Sequence, residues 1–411
     1  EKDLDTNNLD LFTQLDYVNQ TNLLPIENAS LSQNFKRKKF QIYLGHRRLS
    51  IVDLNTRSHQ PMGTPDQKVW ISYNGEIYNH VELKQELLEH GYKFKTLSDT
   101  EIVLAAYCEW GDEFVNKLNG MFALAIYDSR SKELVLARDR YGIKPVYYQH
   151  TPHNLVFSSE IKPILNYSQK SPALNLDALN HYFTFQNLFG SESLFKEIKL
   201  LPAGCLLKCS LEGSVKLHQY WDFNFNNTDC RISFEDASAE TLRLLRQAVK
   251  RQLHADVSVG AYLSGGMDSG SIVGIASNDI KRINTFTAGF ELSRVTGVEA
   301  SFDERANSEM MAYAFKTQHY EQVIQAGDLA HIMNDVIRHM EDLRVGMSYP
   351  NFYIANLASR FVGVSLSGVG GDELYGGYPW RYYRVMHSLD KLHVIRRDFN
   401  ELRDRVMKND V

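Results

Sequence analysis

The chain contains 411 residues, and because single domains usually have about 100–200 residues, this length predicts two or three domains and excludes a single small binding module. Its 45 Lys and Arg residues against 50 Asp and Glu residues give a formal net charge of −5, so no strong positive field exists that would bind nucleic acid. A hydrophobic content of 43% excludes disordered and collagen-like chains and suffices for a sizeable core.

Neither a membrane-spanning segment nor a disulfide scaffold is indicated by the sequence. The longest strongly apolar stretch, Met121 to Tyr127, is far shorter than the about 20 residues that a bilayer requires. Four cysteines in a chain of this length indicate reduced thiols, and they are Cys108, Cys205, Cys209 and Cys230. We therefore expect a cytoplasmic protein without a membrane partner, while the first residue, Glu1, leaves open a removed targeting segment.

Short β-branched and aromatic runs separated by turn residues fill residues 42–157 and predict strands. These strands are expected at Val69–Tyr73, Phe122–Tyr127, Leu134–Ala137 and Val146–Tyr148. Helices are expected at Val81–His90 and Asp99–Glu109. Runs of strands interrupted by a few helices predict an α+β layered sandwich.

After about Glu235 the pattern changes to strands and helices in alternation. Strands are expected at Val257–Leu263, Asn284–Phe290 and Gly363–Leu366, and helices at Ala237–Gln252, after Ser269, at Glu304–Lys316 and near Asn351–Arg360. Such alternation is typical of βαβ units and predicts an α/β doubly wound parallel sheet. Residues 206–234, which are poor in apolar side chains, are the predicted linker between domains at 1–205 and 235–411.

A glycine-containing loop follows the first strand of the second half. It reads Ser264-Gly265-Gly266-Met267-Asp268-Ser269 and lies at the carboxyl end of a parallel strand, where such sheets bind ligands. Glycines let backbone amides curl around an anion, and a helix N-terminus adds donors. The loop predicts a pyrophosphate cradle, and Asp268 predicts a shared Mg²⁺, since the carboxylate alone would repel phosphate. A plain strand-to-helix turn with helix caps is the structural alternative.

A second glycine-containing loop follows the strand Gly363–Leu366. It reads Ser367-Gly368-Val369-Gly370-Gly371-Asp372-Glu373. Two strand-terminal loops of this kind can face one ligand across the switch point of a sheet and supply two carboxylates to a metal ion. The G-x-x-x-x-G-K-[ST] phosphate loop does not occur in the chain.

Two motifs in the first half contain the parts of an amino-acid pocket. Gly45 to Asp53 reads G-H-R-R-L-S-I-V-D and is expected to end in a strand, with Arg48 able to bind a carboxylate through two hydrogen bonds. Asn74-Gly75-Glu76 follows a predicted strand and supplies an amide, a backbone N–H and a carboxylate, which suit an oxyanion hole and an ammonium anchor. Asp99 supplies a second anionic group. Taken singly, these motifs are also typical of a hairpin turn, a surface ion pair and a helix cap.

From about Ile42 to Tyr383 these ordered motifs resemble the asparagine synthetase family, in which a class II glutamine amidotransferase domain precedes an ATP-pyrophosphatase synthetase domain. The resemblance implies an Ntn-hydrolase-like fold for 1–205 and a PP-loop, adenine nucleotide α-hydrolase-like fold for 235–411. The implied glutamine contacts are Arg48 on the α-carboxylate, Asn74 and Gly75 at the oxyanion, and Glu76 with Asp99 around the α-amino group. The implied ATP-binding residues are Leu263, Ser264, Gly265, Gly266, Asp268, Ser269, Ala288, Ser367 and Gly368, and the implied Mg²⁺ ligands are Asp268 and Asp372.

By this resemblance the expected activity is ATP-dependent amidation of a carboxylate through an acyl-adenylate, with ammonia from glutamine hydrolysis. The expected partners are the small molecules glutamine, ATP and a carboxylate acceptor, and a homodimer is left open. Asparagine synthetases typically have Glu where this chain has Val369. This difference disfavours free aspartate and makes another carboxylate, such as a sugar uronic acid, a candidate acceptor.

The sequence also departs from the family at its ends. The family's N-terminal nucleophilic cysteine, its His-Arg-Gly-Pro-Asp motif and its lysine beyond the Gly-Gly-Tyr region are not recognised here. We expect that the missing segments lie outside this sequence, since a lost activity gives no reason to retain the glutamine pocket. The alternatives are an adenylating ligase without glutaminase activity and a non-catalytic scaffold that binds glutamine or nucleotide. Cys108, within a predicted helix, is expected to be an inert apolar residue.

Overall fold

A computed structural model describes residues 42–168, 172–225, 232–292, 303–325, 327–343 and 348–378. The chain divides into two compact units, one formed by Glu1–Ser258 with Gly327–Phe352 and the other by Val259–Ala326 with Tyr353–Val411. Within the described ranges, no helix combines the length and apolar character needed to cross a membrane.

Strands and helices are numbered here in chain order. The strands are β1 (Met62–Gly63), β2 (Val69–Ile77), β3 (Gly120–Asp128), β4 (Glu133–Arg138), β5 (Tyr147–His150), β6 (Leu155–Ser158), β7 (Lys199–Leu200), β8 (Cys205–Ser210), β9 (Val215–Gln219), β10 (Val259–Tyr262), β11 (Asn284–Phe290), β12 (Gln318–Ile324) and β13 (Val364–Leu366). The α-helices are α1 (His80–Glu89), α2 (Asp99–Trp110), α3 (Phe114–Lys117), α4 (Ile161–Ser168), α5 (Leu176–Phe185), α6 (Phe234–Gln252), α7 (Met267–Asp279), α8 (Arg305–Phe315), α9 (Asp328–Met340), α10 (Ser348–Ala358) and α11 (Gly371–Tyr375).

The first unit is a layered sandwich of two antiparallel sheets. One sheet has the order β1-β2-β3-β4-β8-β9 and the other the order β6-β5-β7. Successive side chains of β3 alternate between two cores, as the period of a strand requires: Leu124 and Ile126 pack with α1 and α2, and Ala123 and Ala125 pack toward the smaller sheet. Helix α4 covers the outer side of the smaller sheet through Ile164. The predicted α+β layered sandwich is confirmed.

Part of the predicted linker is folded into this sandwich. Residues 206–210 belong to β8, which pairs with β4, and residues 215–219 form β9, which pairs with β8. Leu206 and Leu207 are buried on the two opposite faces of the large sheet. Few apolar residues suffice here because Leu206 serves one core, while Leu207 serves the other together with the buried Cys205. The boundary between the domains stays a prediction.

The second unit contains a four-stranded parallel sheet in the order β12-β11-β10-β13. The chain moves outward from β10 to β12 and then returns to the other side of β10 at β13, so the sheet has a switch point between β10 and β13. The predicted doubly wound parallel sheet is confirmed, and β11 has the predicted bounds. The patterns predicted neither β12 nor α9.

Two local predictions in the first half were wrong. Gly45–Asp53 contains no strand, and Asn74-Gly75-Glu76 lies inside β2 rather than after it. The strand β2 continues because it remains paired with β3, Gly75 lying opposite Phe122. A Cβ atom at Gly75 would lie 2.2 Å from the carbonyl oxygen of Met121, so only glycine allows this close approach.

We therefore expect Gly75→Ala to destabilise the first unit by about 1–3 kcal/mol, the usual cost of inserting a methyl group into a packed site. Chemical denaturation, followed by tryptophan fluorescence, measures the effect. Gly45→Ala is the matched control, because a Cβ there meets no atom within 4 Å and should change stability by less than about 0.5 kcal/mol. Equal unfolding midpoints for the two variants would contradict the close approach of β2 and β3.

Candidate functional site

A cavity of about 680 Å³ in the first unit contains the predicted amino-acid pocket. Five of its lining residues are those predicted to bind glutamine, namely Arg48, Asn74, Gly75, Glu76 and Asp99. They come from an irregular segment, a strand and the start of a helix, which are separated by up to 51 positions in the sequence. Tertiary structure thus brings the five residues together.

Two buried carboxylates, Glu76 and Asp99, dominate the electrostatics of this cavity. They are 8% and 5% exposed. Asp99 Oδ2 accepts hydrogen bonds from the Tyr73 hydroxyl at 2.8 Å and the Ile77 backbone N–H at 3.1 Å. Burial raises the pKa of Asp99 despite these bonds. Burial together with the nearby Asp99 raises the pKa of Glu76 to about 8. Nearby positive charge offsets this pair only in part, so the cavity favours a ligand that carries an ammonium group.

Two cationic side chains line the same cavity and partly offset the carboxylates. Arg48 and Lys144 both lower the pKa of Glu76. The Nη2 atom of Arg48 donates to the carbonyl oxygens of Val52 and Asp53, each at 2.7 Å, which holds its guanidinium in place. Lys144 was not predicted from the sequence, because a lone lysine between Ile143 and a proline carries no recognisable pattern.

Asn74 is positioned by a residue that the sequence also did not indicate. Its Nδ2 atom donates to the Ser159 hydroxyl at 3.4 Å. Ser159 lies in the turn between β6 and α4, and this turn forms part of the cavity wall. The amide therefore has a neighbour that restricts its rotation within the cavity.

The loop after β10 in the second unit forms a compact turn into α7. Ser269 Oγ accepts the backbone N–H of Ser264 at 3.1 Å and lies 3.0 Å from Ser264 Oγ. Gly265 has φ +77° and approaches Asn307 so closely that a Cβ would lie 2.5 Å from the Asn307 Cβ. The helix begins at Met267 rather than after Ser269, with Gly266 as an N-cap that makes no side-chain cap bond. The first N–H groups of α7 thus lack a side-chain cap, as an anion site requires.

The second loop interlocks with the first at the switch point. Asp268 Oδ2 accepts the backbone N–H of Asp372 at 3.0 Å. A Cβ at Gly371 would lie 2.1 Å from the same oxygen, and one at Gly377 would lie 1.8 Å from Asp372 Oδ1. Gly368 is likewise close to Asp268 and to the backbone nitrogen of Ser269. The two glycine loops therefore contact each other, as the sequence predicted. Glycine is required at these positions because a Cβ atom would clash with the other loop or with Asp372.

The residues predicted near adenosine have different surroundings. Leu263 is wholly buried. Its backbone N–H donates to the carbonyl oxygen of Phe286 at 3.0 Å, and its own carbonyl oxygen accepts a hydrogen bond from the Thr287 hydroxyl. Its side chain therefore belongs to the core. Ala288 is half-buried in β11 and packs against the core cluster that contains Phe286. Ser367 directly follows β13, and its hydroxyl accepts the Val369 backbone N–H at 3.3 Å.

The donor set at these loops suits Mg²⁺ bound together with phosphate. Asp268 and Asp372 contribute carboxylate oxygens, which Mg²⁺ prefers, and this ion commonly takes one or two carboxylates with phosphate and water. Among the described residues, no three His, Cys, Asp or Glu side chains gather into a metal site. A cation at this place would accordingly depend on the nucleotide for its remaining ligands.

Cys108 is unsuited to act as a nucleophile. It lies within α2, packed against the first core. Burial raises the pKa of its thiol to about 11, so the reactive thiolate is scarce at neutral pH. The prediction of an inert residue agrees with these surroundings.

Both halves of the chain match known families. Residues 31–221 match the family described as a glutamine amidotransferase domain, and residues 240–410 match asparagine synthase. Asparagine synthetase [glutamine-hydrolyzing] 1 of Bacillus subtilis is 32% identical over 92% of this chain and 57% of its own length. Putative asparagine synthetase [glutamine-hydrolyzing] 2 of Methanocaldococcus jannaschii is 33% identical over 86% of this chain and 70% of its own length.

A third relative, the amidase chry2 of Gibberella zeae, is 30% identical over 82% of this chain and 51% of its own length. The chain thus spans just over half the length of two of these relatives. The amidotransferase match contains the residues of the cavity, and the asparagine synthase match contains the two glycine loops. The chain therefore belongs to the asparagine synthetase family.

Proposed function

We propose that the protein is a glutamine-hydrolysing, ATP-dependent ligase that amidates a carboxylate through an acyl-adenylate. The contact between Asp268 and the Asp372 backbone carries this proposal, because it brings two glycine loops and two carboxylates to the switch point of a parallel sheet. This is where such sheets bind nucleotides. The family relationship supports the same function.

The first cavity is the proposed glutamine site. The guanidinium of Arg48 binds the α-carboxylate, and the buried pair Glu76 and Asp99 binds the α-ammonium group. Asn74, held by Ser159, and the Gly75 backbone stabilise the oxyanion that forms when the glutamine amide is attacked. We do not assign the attack on the amide to Cys108, because burial raises the pKa of its thiol to about 11.

The loops of the second unit are the proposed ATP site. The residues from Ser264 to Ser269 bind the phosphates, and the adenosine lies near Leu263, Ala288, Ser367 and Gly368. Asp268 and Asp372 would hold Mg²⁺, which would supply positive charge against the phosphates. The acceptor carboxylate attacks the α-phosphate of ATP, which forms an acyl-adenylate and releases pyrophosphate. Ammonia then attacks the acyl carbon, which yields the amide and AMP.

The acceptor is proposed to be a carboxylate other than free aspartate. Val369, at the position where asparagine synthetases typically have Glu, is 88% exposed on the second loop. An apolar side chain there cannot act on a proton or attract an ammonium group. A sugar uronic acid is one such acceptor. One of the relatives, the amidase chry2, is not named an asparagine synthetase.

Product analysis of the full-length gene product tests the proposed function. Purified enzyme is incubated with ATP, Mg²⁺, glutamine and a panel that includes aspartate and uronic acids, and the products are identified by mass spectrometry. We expect glutamate, AMP, pyrophosphate and one amide. Pyrophosphate release that ignores glutamine would favour a ligase without glutaminase activity. ATP binding without pyrophosphate release from any carboxylate would favour a non-catalytic scaffold.

Replacement of Asp268 by Asn tests the nucleotide loop. We expect Asp268→Asn to lower pyrophosphate release at least about 100-fold, because a metal ligand and its charge are lost. Glutamine binding in the separate first unit should not change. Asp279→Asn, at the exposed opposite end of the same helix, is the control and should keep full activity. Full pyrophosphate release by Asp268→Asn would reject this site.

The raised pKa of Glu76 predicts a pH dependence of ligand binding. An ammonium ligand prefers the ionised carboxylate, so affinity should rise with pH toward the pKa of about 8. Below that value it should fall by up to about tenfold for each pH unit. Binding near pH 7 should release a proton. Calorimetry with L-glutamate, the expected product of glutamine hydrolysis, in buffers of different ionisation enthalpy measures both effects.

Glu76→Gln should bind glutamate weakly and with little pH dependence in this range. Glu89→Gln removes an exposed carboxylate at the end of α1 and should retain the wild-type profile. A wild-type affinity that is constant from pH 6 to about pH 9 would show that Glu76 does not titrate with ligand binding.

A further inference from the structure

A carboxylate from the second half of the sequence caps a helix beside the proposed glutamine pocket. Glu341 follows α9 and accepts the backbone N–H groups of Ile161 at 2.5 Å and of Lys162 at 2.7 Å. These are the first two N–H groups of α4, which have no partner within the helix. A negative charge at a helix N-terminus is also favoured by the helix dipole.

The cap is secured by further contacts within the first unit. The Glu341 side chain is only 9% exposed and lies 3.1 Å from Lys162 Nζ. The same ammonium group donates to the Arg338 carbonyl oxygen at 2.6 Å. Two residues further along the chain, the Leu343 carbonyl accepts the Tyr182 hydroxyl of α5 at 2.7 Å. Residues 338–343 are therefore attached to both α4 and α5.

The capped end of α4 continues directly into the cavity wall. Ser158, Ser159 and Glu160, which immediately precede α4, line the cavity. Ser159 accepts the amide of Asn74. The contacts thus run from Glu341 through the start of α4 to Ser159 and then to Asn74. Consecutive residues in this series are joined by a hydrogen bond or by a short stretch of backbone. A displacement of the α4 N-terminus would therefore move Ser159, whose hydroxyl accepts the Asn74 amide.

The two ends of this series of contacts belong to different family matches. Asn74 and Ser159 lie in the region that matches the glutamine amidotransferase domain, residues 31–221. Glu341 lies in the region that matches asparagine synthase, residues 240–410. Residues 327–352 nevertheless group with the first unit. The synthase part of the sequence therefore supports the helix start that follows the wall of the cavity.

We propose that Glu341 is a positioning residue for glutamine hydrolysis, which acts on Asn74 through the N-terminus of α4 and Ser159. The inference rests on the proposed function of the cavity as a glutamine site. It gives the synthase part of the chain an indirect influence on the donor that stabilises the oxyanion. Because that donor is needed mainly in the transition state, loss of the cap lowers kcat for glutamine hydrolysis more than it raises KM.

A double-mutant cycle in the full-length gene product tests this proposal. Glu341→Gln keeps one acceptor oxygen but replaces the other by an N–H group that faces a backbone donor, and Ser159→Ala removes the acceptor for Asn74. We expect each change to lower kcat for glutamate release by about tenfold, with KM altered by less than about threefold. Since both changes act on one series of contacts, the double variant should be no slower than the slower single variant.

Ammonia-dependent synthesis should persist in all three variants, which shows that they are folded. Hydrogen exchange at the start of α4 should be faster in Glu341→Gln. Glu133→Gln, which removes an ion-paired carboxylate on β4, is the matched control and should retain wild-type kinetics. Additive losses in the double variant, or exchange at α4 unchanged from wild type, would overturn the positioning role alone. A wild-type enzyme that releases no glutamate from glutamine would overturn the proposed glutamine site and this inference together.

Discussion

The pairing of β2 with β3 is the constraint on which the first unit depends. It runs without interruption from Val69 opposite Asp128 to Ile77 opposite Gly120. It includes the point where Gly75 approaches the backbone of β3 within a distance that excludes any side chain. Because β2 stays extended through this point, Asn74 and Glu76 are held on a rigid element rather than on a flexible turn. The Ile77 backbone N–H then meets the Asp99 carboxylate, which connects the sheet to the start of α2.

Charge burial gives this framework its chemical character. A protein interior tolerates one buried carboxylate that accepts several hydrogen bonds, and Asp99 is of this kind. A second buried carboxylate nearby costs more, and its cost appears as the raised pKa of Glu76. Arg48 and Lys144 offset only part of it. A ligand with its own ammonium group would relieve the remainder, so the same arrangement that reduces stability in the free protein supplies binding energy to the proper ligand.

In the second unit, the candidate site consists mainly of backbone groups rather than buried charged side chains. Its ligand is expected to be strongly anionic, and the available groups are the uncapped N-terminus of α7 and two glycine loops. The strand order places the ends of β10 and β13 side by side, so loops that are about 100 residues apart in sequence come into hydrogen-bonding contact. Glycines at 371 and 377 are needed because the Asp268 and Asp372 carboxylates occupy the space of a Cβ atom, and Gly368 is needed because the backbone nitrogen of Ser269 lies too close.

Local patterns determined much of this architecture. Runs of β-branched and aromatic residues separated by turn residues predicted the layered sandwich, and the alternation of strands with helices predicted the parallel sheet. The glycine loops and five of the residues that line the first cavity were also named from the sequence, because their residue types suit only a few chemistries. By contrast, the role of Asn74-Gly75 as strand rather than hairpin turn depends on β3, and the folding of residues 206–219 depends on β4. Lys144, Ser159 and Glu341 belong to the cavity or its support only through contacts between distant segments, which is why no local pattern indicated them and only the tertiary structure decided their places.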